Sequence, residues 1–534
     1  MSTDAFTPPV RPGTSGPTAT RVPTPTGTDA RPRTANALSG PVDAPPRTAS
    51  APAGTPADAV PATSVGTAPA TPTGTAPATP TATPTGTPAN AAPATPTGIS
   101  AGAPAGTPAG TPPVRSAGVA VAPGSGRVAR LRRTVARAAH SVEERTPAHR
   151  DRALDGLRAL ALLCVPLGHW MLGGFVLDPS GGLHNASPLG TFGFLAPASW
   201  VLQMLGIFFL VGGCSSVLSY RRALARGGTT GSWLRGRLVR LGRPVLGVTA
   251  VWAALLPVLG TLGVPDETLR TAAVLVVQPL WFVGIYAGVT ALTPYCARAA
   301  DRWGAWTALP LLAVVAVVDL LRYGPYAQAV PSWLGLVNLL PGWLFAYQLG
   351  VAWGRGRLPR RGGALLLAGG AVLFAVLLLV FHYPASMVGV PGQERTNSHP
   401  PSLLVLALAA TQCGAAVLLH GRIGRLLRRP GLWAPVVVVN LSAMTILCWH
   451  QTAMLAAAVP GGLLGPIGGL TTAPETVGWV LARLAWLPVF ALALLMIGRA
   501  ARRFEAPWQG VSAGRRALAG ALAAGFACYA FAVI

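Results

Sequence analysis

The sequence predicts an all-α polytopic membrane protein, with about 10–11 transmembrane helices behind a disordered N-terminal tail. Three observations predict it. Of 534 residues, 51% are hydrophobic and 11% are charged, whereas about 25% of a soluble domain is charged. From residue 154 onward, apolar runs of about 20 residues follow one another, the length an α-helix needs to cross the hydrocarbon of a bilayer. Arginines crowd every second connection between those runs, as the positive-inside rule requires.

The elements follow in chain order. Residues 1–126 are an Ala/Pro/Thr/Gly tract with phrases such as TPTGTAPATP. Such a composition cannot bury enough apolar surface to offset the entropy of ordering, so the tract is expected to be a disordered, partly polyproline tail. A glycosylated extracellular stalk has the same composition, but the topology below places the tail on the cytoplasmic side. Residues 127–152 turn basic (RVARLRRTVARAAH from Arg127) and predict a juxtamembrane segment, either a short helix on anionic lipid or a solvated basic flank.

Residues 153–500 form the expected transmembrane domain, with spans near 155–176, 199–220, 244–263, 271–293, 305–321, 333–353, 363–382, 401–419, 433–457 and 476–498. Residues 501–534 add a basic loop and an eleventh span at 517–534. Arginines crowd the loop after the second span (RRALARGGTTGSWLRGRLVRLGR) and recur after the fourth, sixth, eighth and tenth. That alternation predicts a multi-pass plasma-membrane protein with a cytoplasmic N-terminus and an extracytoplasmic C-terminus.

The formal charge of +25 does not point to nucleic acid. The basic residues are all arginine and sit in short clusters between apolar runs, where topology calls for them. Cys164, Cys214, Cys413, Cys448 and Cys528 lie inside apolar runs and Cys296 at the end of another, without disulfide or zinc spacing. No metal is called for. No N-terminal signal peptide is expected, because the first long apolar segment begins near residue 154 and must target the chain itself.

The first span, RDRALDGLRALALLCVPLGHW, carries Asp155, Arg158 and His169. Ionisable groups inside a membrane are expensive and are functional candidates by default. Arg158 and His169 stand on one helix face, about three turns and roughly 16 Å apart. That spacing suits a long ligand whose anionic head meets the arginine while its reactive end lies beside the histidine, a group able to take a proton from an attacking hydroxyl. A snorkelling arginine and a structural histidine would share the spacing.

The wording of this stretch resembles the opening of the acyltransferase-3 family, a "lDglRalA…H" phrase in which Arg, ten residues and His form the signature. Asp155, Gly156, Leu157, Arg158, Ala159, Leu160, Ala161 and His169 match it. The resemblance implies an essential Arg and His and an acyl-CoA donor, usually acetyl-CoA, used as co-substrate with no permanently bound cofactor. It also implies a hydroxyl acceptor on a carbohydrate, glycolipid or secondary metabolite.

Further matches follow in order. GIFFLVGG at 206–213 resembles "FFxxSG", with Gly212 in place of serine. Arg237 and Arg240 form an R-x-x-R phrase where the family carries arginines thought to engage the donor, and a guanidinium suits phosphate. They also fall in a basic loop that topology requires. Arg243 and Pro244 resemble an arginine-then-proline helix start. Trp281 and Phe282 resemble a "WF" phrase, although a glutamate common after it is absent. NLSAMTILCWHQTAM at 440–454 is similar to "yxxYLWH", placing Trp449 and His450. Asp155, Trp281, Trp449 and His450 are therefore candidate substrate-binding residues, and His450 is expected at a depth like that of His169.

The loop HYPASMVGVPGQERTNSHPPS holds Glu394, Arg395, Asn397 and His399 and reads either as a substrate lid or as a structural turn. Asp319, His184 and Asn185 are further polar candidates. The rival reading is a transporter or flippase, which should show an internal repeat and carboxylates inside spans. A polyprenol-linked glycosyltransferase would need outer-loop acids, which Glu394, Glu475 and Asp178 match poorly. A structural or sensory membrane protein is a third rival, and none of the three predicts Arg-x10-His. No G-x-S-x-G phrase is present, so direct transfer is expected rather than a covalent serine enzyme.

Overall fold

The computed structural model describes residues 123–505, apart from 326, 391, 392 and 394, together with residues 511–533. The tail and Glu394 of the 382–402 loop lie outside the described residues. The helices are α1 (Pro123–Glu144), α2 (Arg152–Leu172), α3 (Pro188–Thr191), α4 (Ala196–Leu202), α5 (Leu205–Ala225), α6 (Thr230–Thr261), α7 (Asp266–Val277), α8 (Leu280–Ala291) and α9 (Thr293–Trp303). They continue as α10 (Leu309–Tyr323), α11 (Leu339–Gly354), α12 (Arg360–Leu379), α13 (Leu403–Leu426), α14 (Pro430–Leu441), α15 (Ala443–Leu464), α16 (Val477–Glu505) and α17 (Ala513–Val533).

Among the described residues, 8 helices are long and apolar enough to cross a membrane, or up to 9 if the bent pair α14–α15 counts as one span. Helices dominate because a backbone in hydrocarbon must satisfy its own hydrogen bonds. α2 and α17 are helices of 21 residues that stand outside those 8. The charges of Arg152, Asp155 and Arg158 dilute the hydropathy of α2.

Contacts between chain ends sort the helices. Asp151 at the start of α2 meets His420, 3.0 Å away, and the Arg152 guanidinium donates to the Leu427 carbonyl at 3.1 Å, both at the end of α13. Trp353 of α11 packs edge-on to His420, and Arg355 clamps Asp301 of α9 at 2.5 Å. One end of the bundle therefore gathers the arginine-rich connections. At the opposite end Trp200 donates to the Ala385 carbonyl at 2.6 Å and Asp319 accepts from Tyr383 and the Leu403 amide.

Four features depart from the sequence expectation. A two-stranded antiparallel hairpin, β1 (Gly174–Leu177) and β2 (Leu183–Ala186), follows α2 and pairs Gly174 with Ala186. The all-α expectation missed it because four-residue strands carry little periodicity. α6 begins at Thr230, so Arg237 and Arg240 lie on a helix rather than in a loop; arginine is a good helix former, and Thr229 and Ser232 close a capping box. The fourth span runs as one apolar stretch over Asp266–Ala291, but its helix is interrupted at Gln278 and Pro279, between α7 and α8. The ninth span bends by 75° at Ser442, between α14 and α15.

α5 and α11 approach backbone to backbone. A Cβ on Gly213 would collide with the Tyr347 carbonyl, and one on Gly350 with the Leu210 carbonyl, the small-residue contact typical of membrane helices. α2 lies on the seam between two apolar cores. Leu154, Leu157 and Ala161 pack into the cluster of α5, α11 and α13, while Trp170 packs with Trp252, Met454 and Phe490 of α6, α15 and α16.

Candidate active site

α2 begins at Asp151, whose side chain accepts from the Leu154 amide at 3.1 Å and so satisfies one of the orphan donors of the first turn. Five turns further on, its far end carries His169 and Trp170 into register with His450 and Gln451 of α15. The Trp170 indole donates to the His450 carbonyl at 3.0 Å. Gln451 bonds His169 Nδ1 at 3.0 Å through its amide and reaches Gln278 Oε1 at 3.5 Å. The two imidazoles lie with ring centroids 5.0 Å apart, tilted by 57°.

The hydrogen bonds assign one tautomer. His450 Nδ1 faces the carbonyls of Ile446 and Leu447 at 3.0 and 2.9 Å. A carbonyl can only accept, so Nδ1 carries the proton and Nε2 is a lone-pair acceptor. That Nε2 is buried and has no hydrogen-bond partner among the described residues, as is true of Gln451 Oε1. Turning the Gln451 amide over would bring Oε1 to His169 Nδ1 and select the tautomer whose Nε2 is basic.

Arg483 of α16 holds the same helix end and is fully buried. Its guanidinium donates to the carbonyls of Trp170 at 2.6 Å, Gly173 at 2.7 Å and Gly469 at 3.0 Å. The last carbonyls of a helix lack intrahelical partners, and a cation there also suits the helix dipole.

His169 opens into a cavity of about 360 Å³ on the side away from the arginine-rich end. Gln278 and Trp281, set at the break between α7 and α8, form one wall with Gln451. Asn185 on the hairpin, Ser187 just after it, Ser199, Gln203, Ser398 and His399 complete the polar lining. Trp281 meets His399 edge-on at 4.6 Å. Desolvation by the cavity walls holds the His399 imidazole down to about 4, so it is neutral at neutral pH. No carboxylate and no arginine lines this cavity among the described residues.

The arginines gather elsewhere. Arg158 Nη2 donates to Ser215 Oγ at 2.5 Å, and Arg237 Nη2 donates to Ser219 Oγ at 2.5 Å. Ser215 and Ser219 are one turn apart on α5, so the two guanidinium groups flank a single face of that helix. Trp233 also donates to Ser219, at 3.0 Å, and lies under Arg237. Arg240 is exposed one turn along α6. Asp155 is buried and sits between Arg150 at 2.5 Å and Arg158 at 3.6 Å. Two polar centres therefore share α2, an arginine–serine cluster near its start and an imidazole pair at its end.

The acyltransferase-3 family model, which describes an acyltransferase domain, matches residues 151–498. The chain belongs to the acyltransferase-3 family. It is a multi-pass membrane acyltransferase that carries groups other than aminoacyl groups. No curated protein and no solved structure matches it. The match opens at the N-cap of α2 and closes inside α16, so both polar centres and Arg483 belong to the acyltransferase domain.

Of the candidates named from the acyltransferase sequence, His169 and Trp281 line the cavity and His450 stands directly behind His169. Trp449 is buried in the apolar core and does not line the cavity. His184 is exposed on the hairpin between Asp178 and Glu267, and Asp319 holds the 382–402 loop through Tyr383 and Leu403. Sequence reasoning missed Gln451, Gln278 and Arg483. Arg483 is an ionisable residue inside an apolar run, the criterion that had flagged Arg158 and His169. The two glutamines carried the weaker signal of an amide beside a motif, in WHQ and QPLWF.

Proposed function

We propose that the enzyme transfers an acyl group, acetyl from acetyl-CoA, to a hydroxyl of a carbohydrate, glycolipid or secondary metabolite. The observation that carries this reading is the division of labour along α2. Arg158, with Arg237 and Arg240, offers guanidinium groups to the phosphates of the donor at the cytoplasmic end. About 16 Å further along the helix, His169 faces a cavity of neutral amide, hydroxyl and aromatic groups suited to an acceptor that presents hydroxyls. The pantetheine arm, an extended chain, spans the interval.

In the transfer step His169 takes the proton of the acceptor hydroxyl while the oxygen attacks the thioester carbonyl carbon. The tetrahedral intermediate collapses, the C–S bond breaks and the imidazolium returns its proton to the CoA thiolate. Gln451, with Oε1 receiving Nδ1–H, fixes the imidazole so that Nε2 is the base. His450 and Trp449 act from behind the cavity wall, Asp155 holds Arg158 at the donor end of α2, and Trp281 contacts the acceptor. The enzyme works in the plasma membrane with its N-terminus cytoplasmic and its C-terminus outside.

Acetyl transfer from radiolabelled acetyl-CoA tests the proposal, in membranes carrying the native chain or His169→Ala at matched expression. Label is followed into lipid, polysaccharide and small-molecule fractions. Label in one fraction that vanishes with His169→Ala supports the reaction and names the acceptor class. Label unaffected by the substitution, or absent from membranes that contain their native acceptors, overturns it.

A further inference from the structure

A second and larger cavity, of about 1000 Å³, lies between α10, α11, α12 and α13 and shares no lining residue with the cavity at His169. Its floor is apolar, formed by Leu309, Leu312, Phe345, Leu349, Leu366 and Leu373. Its rim, at the arginine-rich end, carries Arg302, Arg357 and Arg361 together with Trp303 and Trp306. The two indoles are 59% and 73% exposed, as expected of aromatic rings at a membrane interface.

Charge on that rim is unbalanced. The one carboxylate there, Asp301, is taken by Arg355 through two hydrogen bonds, at 2.6 Å from Nε and 2.5 Å from Nη2. Among the described residues Arg357 donates to the Asp301 backbone carbonyl, at 3.3 Å, and Arg302 lies over Trp303. None of the three rim arginines meets a carboxylate among the described residues. A long apolar floor inside the spans, closed at one end by three unpaired cations and two interfacial indoles, matches an amphiphile with two parts: hydrocarbon chains and an anionic head.

We propose that this groove is a binding site for an anionic glycerophospholipid of the leaflet facing the arginine-rich end, with its acyl chains along α12 and its phosphate between Arg302, Arg357 and Arg361. The site is separate from the acyl-transfer centre. Gly369 offers a way to close it. A Cβ on Gly369 meets nothing within 4 Å although the residue lines the groove, so Gly369→Phe, which also replaces glycine within a helix, is the variant chosen to obstruct the groove.

The test uses the purified full chain in phosphatidylcholine nanodiscs. Thermal unfolding is followed as phosphatidylglycerol replaces part of the phosphatidylcholine, and lipid retained by the protein is read by native mass spectrometry. Phosphatidylglycerol is expected to raise Tm by about 2 °C or more and to remain bound as one or two molecules. Both signals are lost in Gly369→Phe and in the Arg302→Gln/Arg361→Gln pair, while inorganic phosphate gives no shift. Equal Tm in the two lipids, a phosphatidylglycerol signal that persists in both variants, or equal stabilisation by inorganic phosphate or acyl-CoA would each overturn the assignment.

Discussion

Trp170 donates its indole N–H to the carbonyl of His450 at 3.0 Å, while the next residue on α15, Gln451, holds the ring of the residue before Trp170. Two consecutive residues on each helix are thus latched in a crossed pair. Backbone and side chain share the work: the indole sets the depth of α15 against α2, and the amide sets the rotation of the His169 imidazole. A general base must sit within hydrogen-bond reach of the proton it takes, so with His169 as the proposed base this latch would set the geometry of transfer.

The amide of Gln451 is accordingly expected to matter for turnover rather than donor binding. Gln451→Leu keeps the bulk but cannot hold the tautomer of His169. We expect kcat to fall roughly 10- to 100-fold, part of the 10²–10⁴ that general-base catalysis supplies, with KM for acyl-CoA unchanged. Steady-state kinetics in membranes checks this, and a rise in KM at constant kcat would remove Gln451 from its assigned role.

Arg483 supports the latch from the other side. Arg483→Leu would strip a partner from three carbonyls, the buried ones of Trp170 and Gly469 and the half-buried one of Gly173. At about 1 kcal/mol or more for each orphaned acceptor, the loss should reach roughly 3 kcal/mol. Lysine should not restore it, because a single ammonium cannot reproduce a planar fork aimed at carbonyls on two segments. Thermal unfolding of the two variants in detergent measures the cost, and equal stability of native and Leu forms would show the fork to be dispensable.

His399 gives a dependence on pH whose sign can be worked out. Its pKa is lowered from 6.5 to about 4 by desolvation, so between those values the unfolded chain binds a proton that the folded chain does not. Stability therefore falls as pH drops from 6.5 towards 4 and is insensitive to this group above that window. His399→Gln removes the contribution and should flatten the decline of Tm between pH 6.5 and 4 while leaving Tm at pH 7.5 nearly unchanged. A decline of the same slope in both proteins would assign the acid sensitivity to other groups.

What the sequence made legible was the chemistry on single helices. Arg158 and His169 stand out because an ionisable group inside an apolar run is costly and because their spacing brings them to one face. The apolar runs also located the spans. Hydropathy reports the length of such a run but neither an interruption of the helix nor a change of axis within it, so the interruption at Gln278–Pro279 and the bend at Ser442 were invisible. Both matter, since the first aims Gln278 and Trp281 into the cavity and the second delivers His450 to His169. Partners across helices were invisible for a related reason. Nothing in WHQ says that the glutamine will meet an imidazole 282 residues earlier, and nothing in LARLAW says that the arginine will end a helix it does not belong to.

The shared face on α5 sets the last expectation. Arg158 and Arg237 reach Ser215 and Ser219, one turn apart, so a donor phosphate between them would be gripped by both guanidinium groups at once. A charge-assisted hydrogen bond contributes about 1.5–3 kcal/mol, and Arg158→Gln or Arg237→Gln alone should raise KM for acyl-CoA about tenfold or more. Two groups on one phosphate do not act independently. The first loss also frees the phosphate to move away from the second arginine, so the double variant should lose less than the product of the single effects. Arg240→Gln, one turn further out and exposed, should be milder and more sensitive to salt, because solvent and ions screen it. A double-mutant cycle on KM reads the coupling. Strict additivity between Arg158 and Arg237 would mean that they hold different parts of the donor, with Arg158 serving the thioester end and Arg237 the phosphates.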